Sequence, residues 1–195
     1  MKSDDPGEAS PVRARIVDAA LKRFEQFGFR RTGMAEIARD VGVAPGTLYR
    51  YFESKQDLFL TVVRTENRRW IERARAALAE PGTVMERLAR LGAASVERYR
   101  EHSLAASILQ RDAEIIFAPL IDELYEEIMD ETVGPMAAVI RQGIESGEAR
   151  EVDPEKTAFI YFLAGQALFN QTRYPYQEIL PLLVDLGLAS IAKGH

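Results

Sequence analysis

Residues 34–51 read MAEIARDVGVAPGTLYRY, and this stretch decides the fold. Over residues 34–41 the apolar side chains recur at helical spacing, with Ile37 and Ala38 on the inner face. Gly42 interrupts the pattern, and Gly42-Val43-Ala44 reads as a tight turn. Pro45 opens a second short helix, because a first helical turn has no use for the N–H that proline lacks. That helix runs to about Tyr51. Two short helices joined by a Gly-containing turn are the helix-turn-helix pattern. Ile37, Val41, Val43 and Leu48 can pack inward and fix the interhelical angle, and the small Ala38 lets the helices approach. A helix of about seven residues is unstable alone in water, so packing must hold it.

The residues left facing outward are Pro45, Gly46, Thr47, Tyr49, Arg50 and Tyr51. Hydroxyls, a guanidinium and a glycine that permits close backbone approach suit a helix lying in the major groove of DNA. Lys55 falls in the first turn of the next helix, where a cation opposes the helix dipole. A phosphate in front of that helix end would reverse the sign, so Lys55 is read as a phosphate contact. Thr32 and Gly33 precede the first of the two helices, whose N-terminal amides can face another phosphate. A helical hairpin with no nucleic-acid role has the same spacing, so this pattern alone does not decide between the two.

Helical periodicity continues on both sides. Upstream, Ile16, Ala19, Ala20, Phe24 and Phe27 form one apolar stripe, and Gly28 suits the helix end. Residues 1–10 are polar and read as a loose tail. Downstream, Ser54-Lys55-Gln56-Asp57 is a capping-box pattern that starts a helix to about Leu78, before Pro81-Gly82. Further helices are expected at 84–101, 104–116 and 119–146, the last with a kink at Gly134-Pro135 and a stop at Gly147. Asp153-Pro154 opens another, to about Thr172. A final helix ends near Ala192; Pro181 obscures its start. No alternating strand pattern is present. The expected fold is all-α: a three-helix head at 11–60 and a helical-bundle body at 61–195.

Charge follows the same division. Between residues 11 and 64 there are ten basic and six acidic residues, a surplus of four positive charges. From residue 65 onward there are fourteen basic and twenty-one acidic residues, a deficit of seven. A basic head on an acidic body suits a protein that meets phosphate at one end only. With no cysteine, disulfides, thiolate metal sites and cysteine nucleophiles are excluded. The start of the chain has no secretory pattern and no apolar run long enough to span a bilayer, so a soluble, cytoplasmic protein is expected. No phosphate-binding loop, dinucleotide fingerprint or nucleophile elbow occurs. The Glu-x-x-His pairs of a di-iron bundle are absent too, since Tyr99 precedes His102 by three. No enzymatic activity, cofactor or metal is expected.

Several groups of residues together resemble the N-terminal domain of TetR/AcrR-family repressors. They are Arg15 to Ala20, Phe24, Gly28-Phe29, Thr32, Glu36 to Ala38, Val41 to Tyr49, Tyr51-Phe52, Ser54-Lys55 and Leu58-Phe59. The resemblance is nearly continuous over residues 12–60. It implies that Thr47, Tyr49, Arg50, Tyr51 and Lys55 contact DNA. Gly33 departs from the usual Ser or Thr, and Ala44 from a common Ser cap. The family's architecture implies a body that binds a small effector and dimerises through its last two helices. The chain is thus expected to be a ligand-responsive regulator, a repressor, that binds palindromic double-stranded DNA as a homodimer.

The body residues agree with that expectation. Residues 158–169 (AFIYFLAGQALF) are apolar nearly all round, as are residues 180–191, so each helix must be covered on more than one side. Phe159, Phe162, Leu163, Leu183 and Leu186 are the candidate interface. Candidate pocket residues for a mainly apolar effector are Trp70, Tyr99, His102, Phe117, Tyr125, Met129, Phe162, Gln166 and Asn170. Gln166 and Asn170 lie four apart in an apolar helix, where each needs a partner. The alternative is an architectural DNA-binding protein of the same fold with no effector, for which a body without a cavity would be the sign.

Overall fold

A computed structural model of the protein describes residues 10–101, 114–170 and 173–193. The described residues form eight helices: α1 (Pro11–Arg31), α2 (Met34–Val41), α3 (Pro45–Tyr51), α4 (Lys55–Ala79), α5 (Val84–Glu101), α6 (Glu114–Ser146), α7 (Pro154–Asn170) and α8 (Tyr176–Ile191). Among them there is no strand, only one isolated antiparallel bridge between Ala149 and Ala192. No described helix is long and apolar enough to cross a membrane. The chain divides into two compact units. One is built on the segment up to Glu66, the other begins at Asn67.

In the head, the buried stripe of α1 is Ile16, Val17, Ala20, Leu21 and Phe24. Phe27, expected in that stripe, is 37% exposed, and the Arg23 guanidinium lies 5.6 Å from its ring centroid. Gly28, with a φ of 77°, breaks the helical path one residue later. Phe24, Phe29 and Phe59 close the core with centroids 5.0–6.0 Å apart, Phe59 meeting the other two rings edge to face. Gly42 ends α2 in the left-handed region. Its N–H reaches the Arg39 carbonyl, and the Val43 N–H reaches that of Ala38, which is a Schellman stop. Met34, Ile37, Ala38 and Val41 are buried beneath it.

In the body, Trp70, Ile71, Ala74 and Leu78 from α4 recur at helical spacing and meet Leu91 of α5, Ile140 of α6, Phe162 of α7 and Ile191 of α8. The helix ends are satisfied locally. Thr83 and Glu86 form a complete capping box at the start of α5: the Glu86 carboxylate accepts from the Thr83 N–H at 2.8 Å, and the Thr83 hydroxyl accepts from the Glu86 N–H at 3.2 Å. Asp153 caps α7 through the Lys156 N–H at 3.0 Å. Pro119, expected to open a helix, lies inside one, since α6 begins at Glu114; Pro181, which obscures the start of the last helix in the sequence, lies inside α8, which begins at Tyr176. Proline removes one backbone bond, but the burial of Leu180 and Ile191 beside it holds α8 together. The helix expected at 104–116 falls mostly outside the described residues.

Candidate nucleic-acid interface and body cavity

The second helix of the helix-turn-helix is positioned by one residue above all. Leu48 is completely buried, and Phe52, which follows α3, is 2% exposed beneath the Arg13 guanidinium. With those two inward, Pro45, Gly46, Tyr49 and Arg50 are exposed, and Thr47 and Tyr51 are half-buried. Tyr49 is 57% exposed, which is unusual for an aromatic ring without a partner to cover it. Space is open where a side chain would stand on Gly46. Arg50 makes no ion pair among the described residues, so its charge is available. The outward residues read from the sequence therefore form one exposed face.

Two candidate residues at the edge of that face have partners inside the head. Thr32 is 1% exposed, and its hydroxyl donates to the Gly28 carbonyl at 2.9 Å. The break at Gly28 strands carbonyls at the end of α1, and Thr32 satisfies one of them, so its side chain does not face solvent. Lys55 is half-buried. Its Nζ donates to the carbonyls of Phe29 at 2.9 Å and Thr32 at 3.0 Å and sits 4.4 Å from the Phe29 ring centroid. A cation that is unfavourable for α4 is thus favourable for the carbonyl end of α1, which gives Lys55 a structural role of its own. Gly33, which departs from the usual cap residue, gives its own N–H to the Glu36 carboxylate at 2.9 Å.

α1 and α2 are clamped by charge. Arg23 bonds both carboxylate oxygens of Asp40 and lies 3.5 Å from Glu36. The hydrogen bond from Arg23 holds the Asp40 carboxyl below its ordinary range, and Asp40 holds the guanidinium above its own. Arg15 donates to the Val41 carbonyl at 2.6 Å at the end of α2.

The body contains a cavity of about 140 Å³, partly open to solvent. Its wall is drawn from α4, α5, α6, α7 and α8 and includes Trp70, Leu91, Thr132, Met136, Phe162 and Leu183. No described lining residue is charged. Of the candidate pocket residues, Trp70 and Phe162 line it, and Met129 packs against the neighbouring core. The side chains of Tyr99, Phe117, Tyr125, Gln166 and Asn170, and all of His102, lie outside the described residues. Most of the wall is aliphatic, or glycine where helices nearly touch: a Cβ on Gly92 would lie 2.5 Å from Val184. Aromatic residues drew the sequence reading away from that wall, although Gly92 in an apolar stripe was a visible signal.

The interface expectation divides similarly. Phe159 and Leu163 on α7 and Leu186 on α8 are 40%, 40% and 70% exposed, joined by Ile160 and Leu182 at 60% and 61%. Phe162 is buried, and Leu183 is half-buried; both line the cavity.

Comparison with known proteins agrees with this architecture. The model of the tetR family of bacterial regulatory proteins matches residues 16–62. The HTH-type transcriptional regulator YhgD of Bacillus subtilis is 31% identical over 145 residues, covering 74% of this chain and 75% of that protein. The fatty acid metabolism regulator protein of the same organism is 28% identical over 147 residues, 72% of each. The crystal structure of the transcriptional regulator FadR from Bacillus subtilis in complex with stearoyl-CoA superposes with a TM-score of 0.61 at 22% identity, covering 91% of this chain and 98% of that one. An all-helical body behind a helix-turn-helix head, with this degree of likeness over three quarters of its length, identifies the chain as a transcriptional regulator of the TetR family.

Proposed function

We propose that this regulator is a repressor that binds palindromic operator DNA as a homodimer and releases it when an apolar ligand enters the body cavity. The carrying observation is the uncharged cavity of about 140 Å³, enclosed by five helices of the body. A ligand-independent architectural protein has no use for such a space. It is close in size to the engineered core cavity that takes up benzene. A longer chain would extend through its open side.

The ligand class we favour is a long-chain acyl group carried as an acyl-CoA. The described wall, which carries no charged residue, suits a methylene chain, and a structural relative holds stearoyl-CoA. For DNA, the exposed Tyr49 and Arg50 beside Gly46 and Thr47 are the reading face. For assembly, the exposed Phe159, Ile160 and Leu163 of α7 and Leu182 and Leu186 of α8 belong against a second copy. Apolar side chains in that number are not left in water by a stable monomer. α4 is covalently common to head and body, so a displacement of its second half on ligand binding has a direct route to the first.

The test is selection of bound duplexes from a random pool, followed by binding measurements with and without stearoyl-CoA. The expected outcome is an inverted repeat whose binding the ligand weakens by roughly 5- to 150-fold. Selected sites without dyad symmetry, or binding indifferent to the ligand, contradict the proposal.

A further inference from the structure

We propose that the cavity recognises an uncharged hydrogen-bonding group on its ligand, a carbonyl or hydroxyl, through the hydroxyl of Thr132. This rests on the reading of the cavity as the effector site.

Thr132 lies on α6 within the cavity wall and is 5% exposed. Its Oγ1 is sealed from solvent and has no hydrogen-bond partner. A helical hydroxyl ordinarily bonds back to the carbonyl four residues earlier. Thr65 does so to Thr61 at 2.7 Å, and Ser95, in the same cavity wall, to Leu91 at 2.9 Å. Thr132 does not. The other described hydroxyl of the wall, on Tyr161, is bonded to the Gly187 carbonyl at 3.1 Å and to Ser190.

A buried hydroxyl left without a partner costs its full desolvation, so natural cores seldom keep one where valine would fit. Its presence at the edge of an apolar void is explained if the partner arrives with the ligand. The absence of charge from the described wall sets the ligand chemistry further. A carboxylate or phosphate would be desolvated there with nothing to pair with, whereas a neutral oxygen needs only one hydroxyl. For an acyl-CoA this places the thioester carbonyl or a neutral chain substituent near Thr132 and keeps the charged carrier outside the cavity. Specificity of this kind discriminates well, since a site built for a hydrogen bond rejects the analogue that lacks it.

The experiment uses the full chain with phenol, toluene and benzoate as probes, and the variants Thr132→Val and Thr132→Ser. Phenol and toluene differ by a hydroxyl in place of a methyl, and benzoate adds charge. The preference for phenol over toluene, measured by titration calorimetry, is expected to fall about three- to tenfold in T132V and to be retained in T132S. Empty T132V should melt no lower than the unsubstituted protein. An unchanged preference in T132V, with both probes bound, overturns the role of Thr132 and leaves the cavity reading standing. T132V that unfolds or melts several degrees lower overturns it too, because the hydroxyl would then have a partner in the empty protein. Benzoate bound as tightly as phenol removes the requirement for a neutral group. Binding of neither phenol nor toluene to the unsubstituted protein defeats the cavity reading, and this inference with it.

Discussion

The head and the body use opposite designs. In the head, short helices are fixed by punctuation: Gly28 and Gly42 in the left-handed region, Pro45 at a helix start, and carbonyls claimed by Thr32 and Lys55. The core is filled, with Ile16, Phe24, Ile37 and Leu48 completely buried. In the body, long apolar helices run past Pro119, Pro135 and Pro181, keep a cavity among them and leave Phe159, Ile160, Leu163, Leu182 and Leu186 exposed. The difference teaches where each activity belongs. A unit with a well-buried core can hold α3 in one orientation, whereas a unit with spare volume and uncovered surface has room for the proposed ligand and second copy.

The largest expected effect is on the exposed face of the body. Leu186→Asp would place a carboxylate from each copy in the proposed interface, at a cost of several kcal/mol per ion. Light scattering should show the mass halve while the helical circular dichroism signal persists. Phe162→Asp, by contrast, should damage the fold itself, because Phe162 faces the interior. A dimer that survives Leu186→Asp moves the interface elsewhere.

Next is the core of the head. Phe24→Ala removes a ring packed against Phe29 and Phe59 and should cost about 3–5 kcal/mol. The comparison is sharpened if hydrogen exchange shows the loss confined to residues before Glu66. Uniform loss of protection across both units would mean that they do not unfold independently.

Lys55→Ala comes third. With two bonds to carbonyls lost, the head should lose about 1–2 kcal/mol, discounted for partial exposure, and the salt dependence of DNA binding should stay as it was. A slope lowered by about one, with no loss of stability, would restore Lys55 as a phosphate contact.

These corrections indicate what the sequence could convey. The helix-turn-helix was legible because its signals are single residues with one conformational meaning: Gly42 stops α2 and Pro45 starts α3 within the bounds read from the pattern. Thr32 was not, because a threonine before a helix looks the same whether its hydroxyl meets solvent or a carbonyl freed by a break four residues earlier. The structural role of Lys55 was not legible for a related reason, since the carbonyls it bonds lie twenty-three and twenty-six positions away. In α7 the limit is different. A segment apolar on every side carries no periodicity, so Phe162 inside and Ile160 outside could not be told apart. The capping box at Thr83 and Glu86 was in plain view and went unread.

The smallest expected effect is of pH on the Arg23–Asp40 clamp. Asp40 has a folded-state pKa lowered by its hydrogen bond from Arg23. Its contribution to stability is therefore present above the ordinary carboxylate range and is lost as pH falls through the lowered value. Asp40→Asn should make the melting temperature of the head less steep in pH below about 4, where this carboxylate begins to protonate in the unfolded chain but not yet in the folded one. An identical acid profile in D40N would leave the clamp without energetic weight.

The central claim is that occupation of the body cavity and binding of DNA by the head are coupled. Coupling between two binding equilibria is reciprocal, so it can be measured from the ligand side. The most direct measurement is the affinity for stearoyl-CoA, titrated with and without saturating operator DNA. The account predicts that DNA weakens ligand binding by the same factor by which the ligand weakens DNA binding, within roughly 5- to 150-fold. Equal ligand affinity in the two titrations, however tight, would contradict it, because a ligand that does not distinguish two states cannot shift the balance between them.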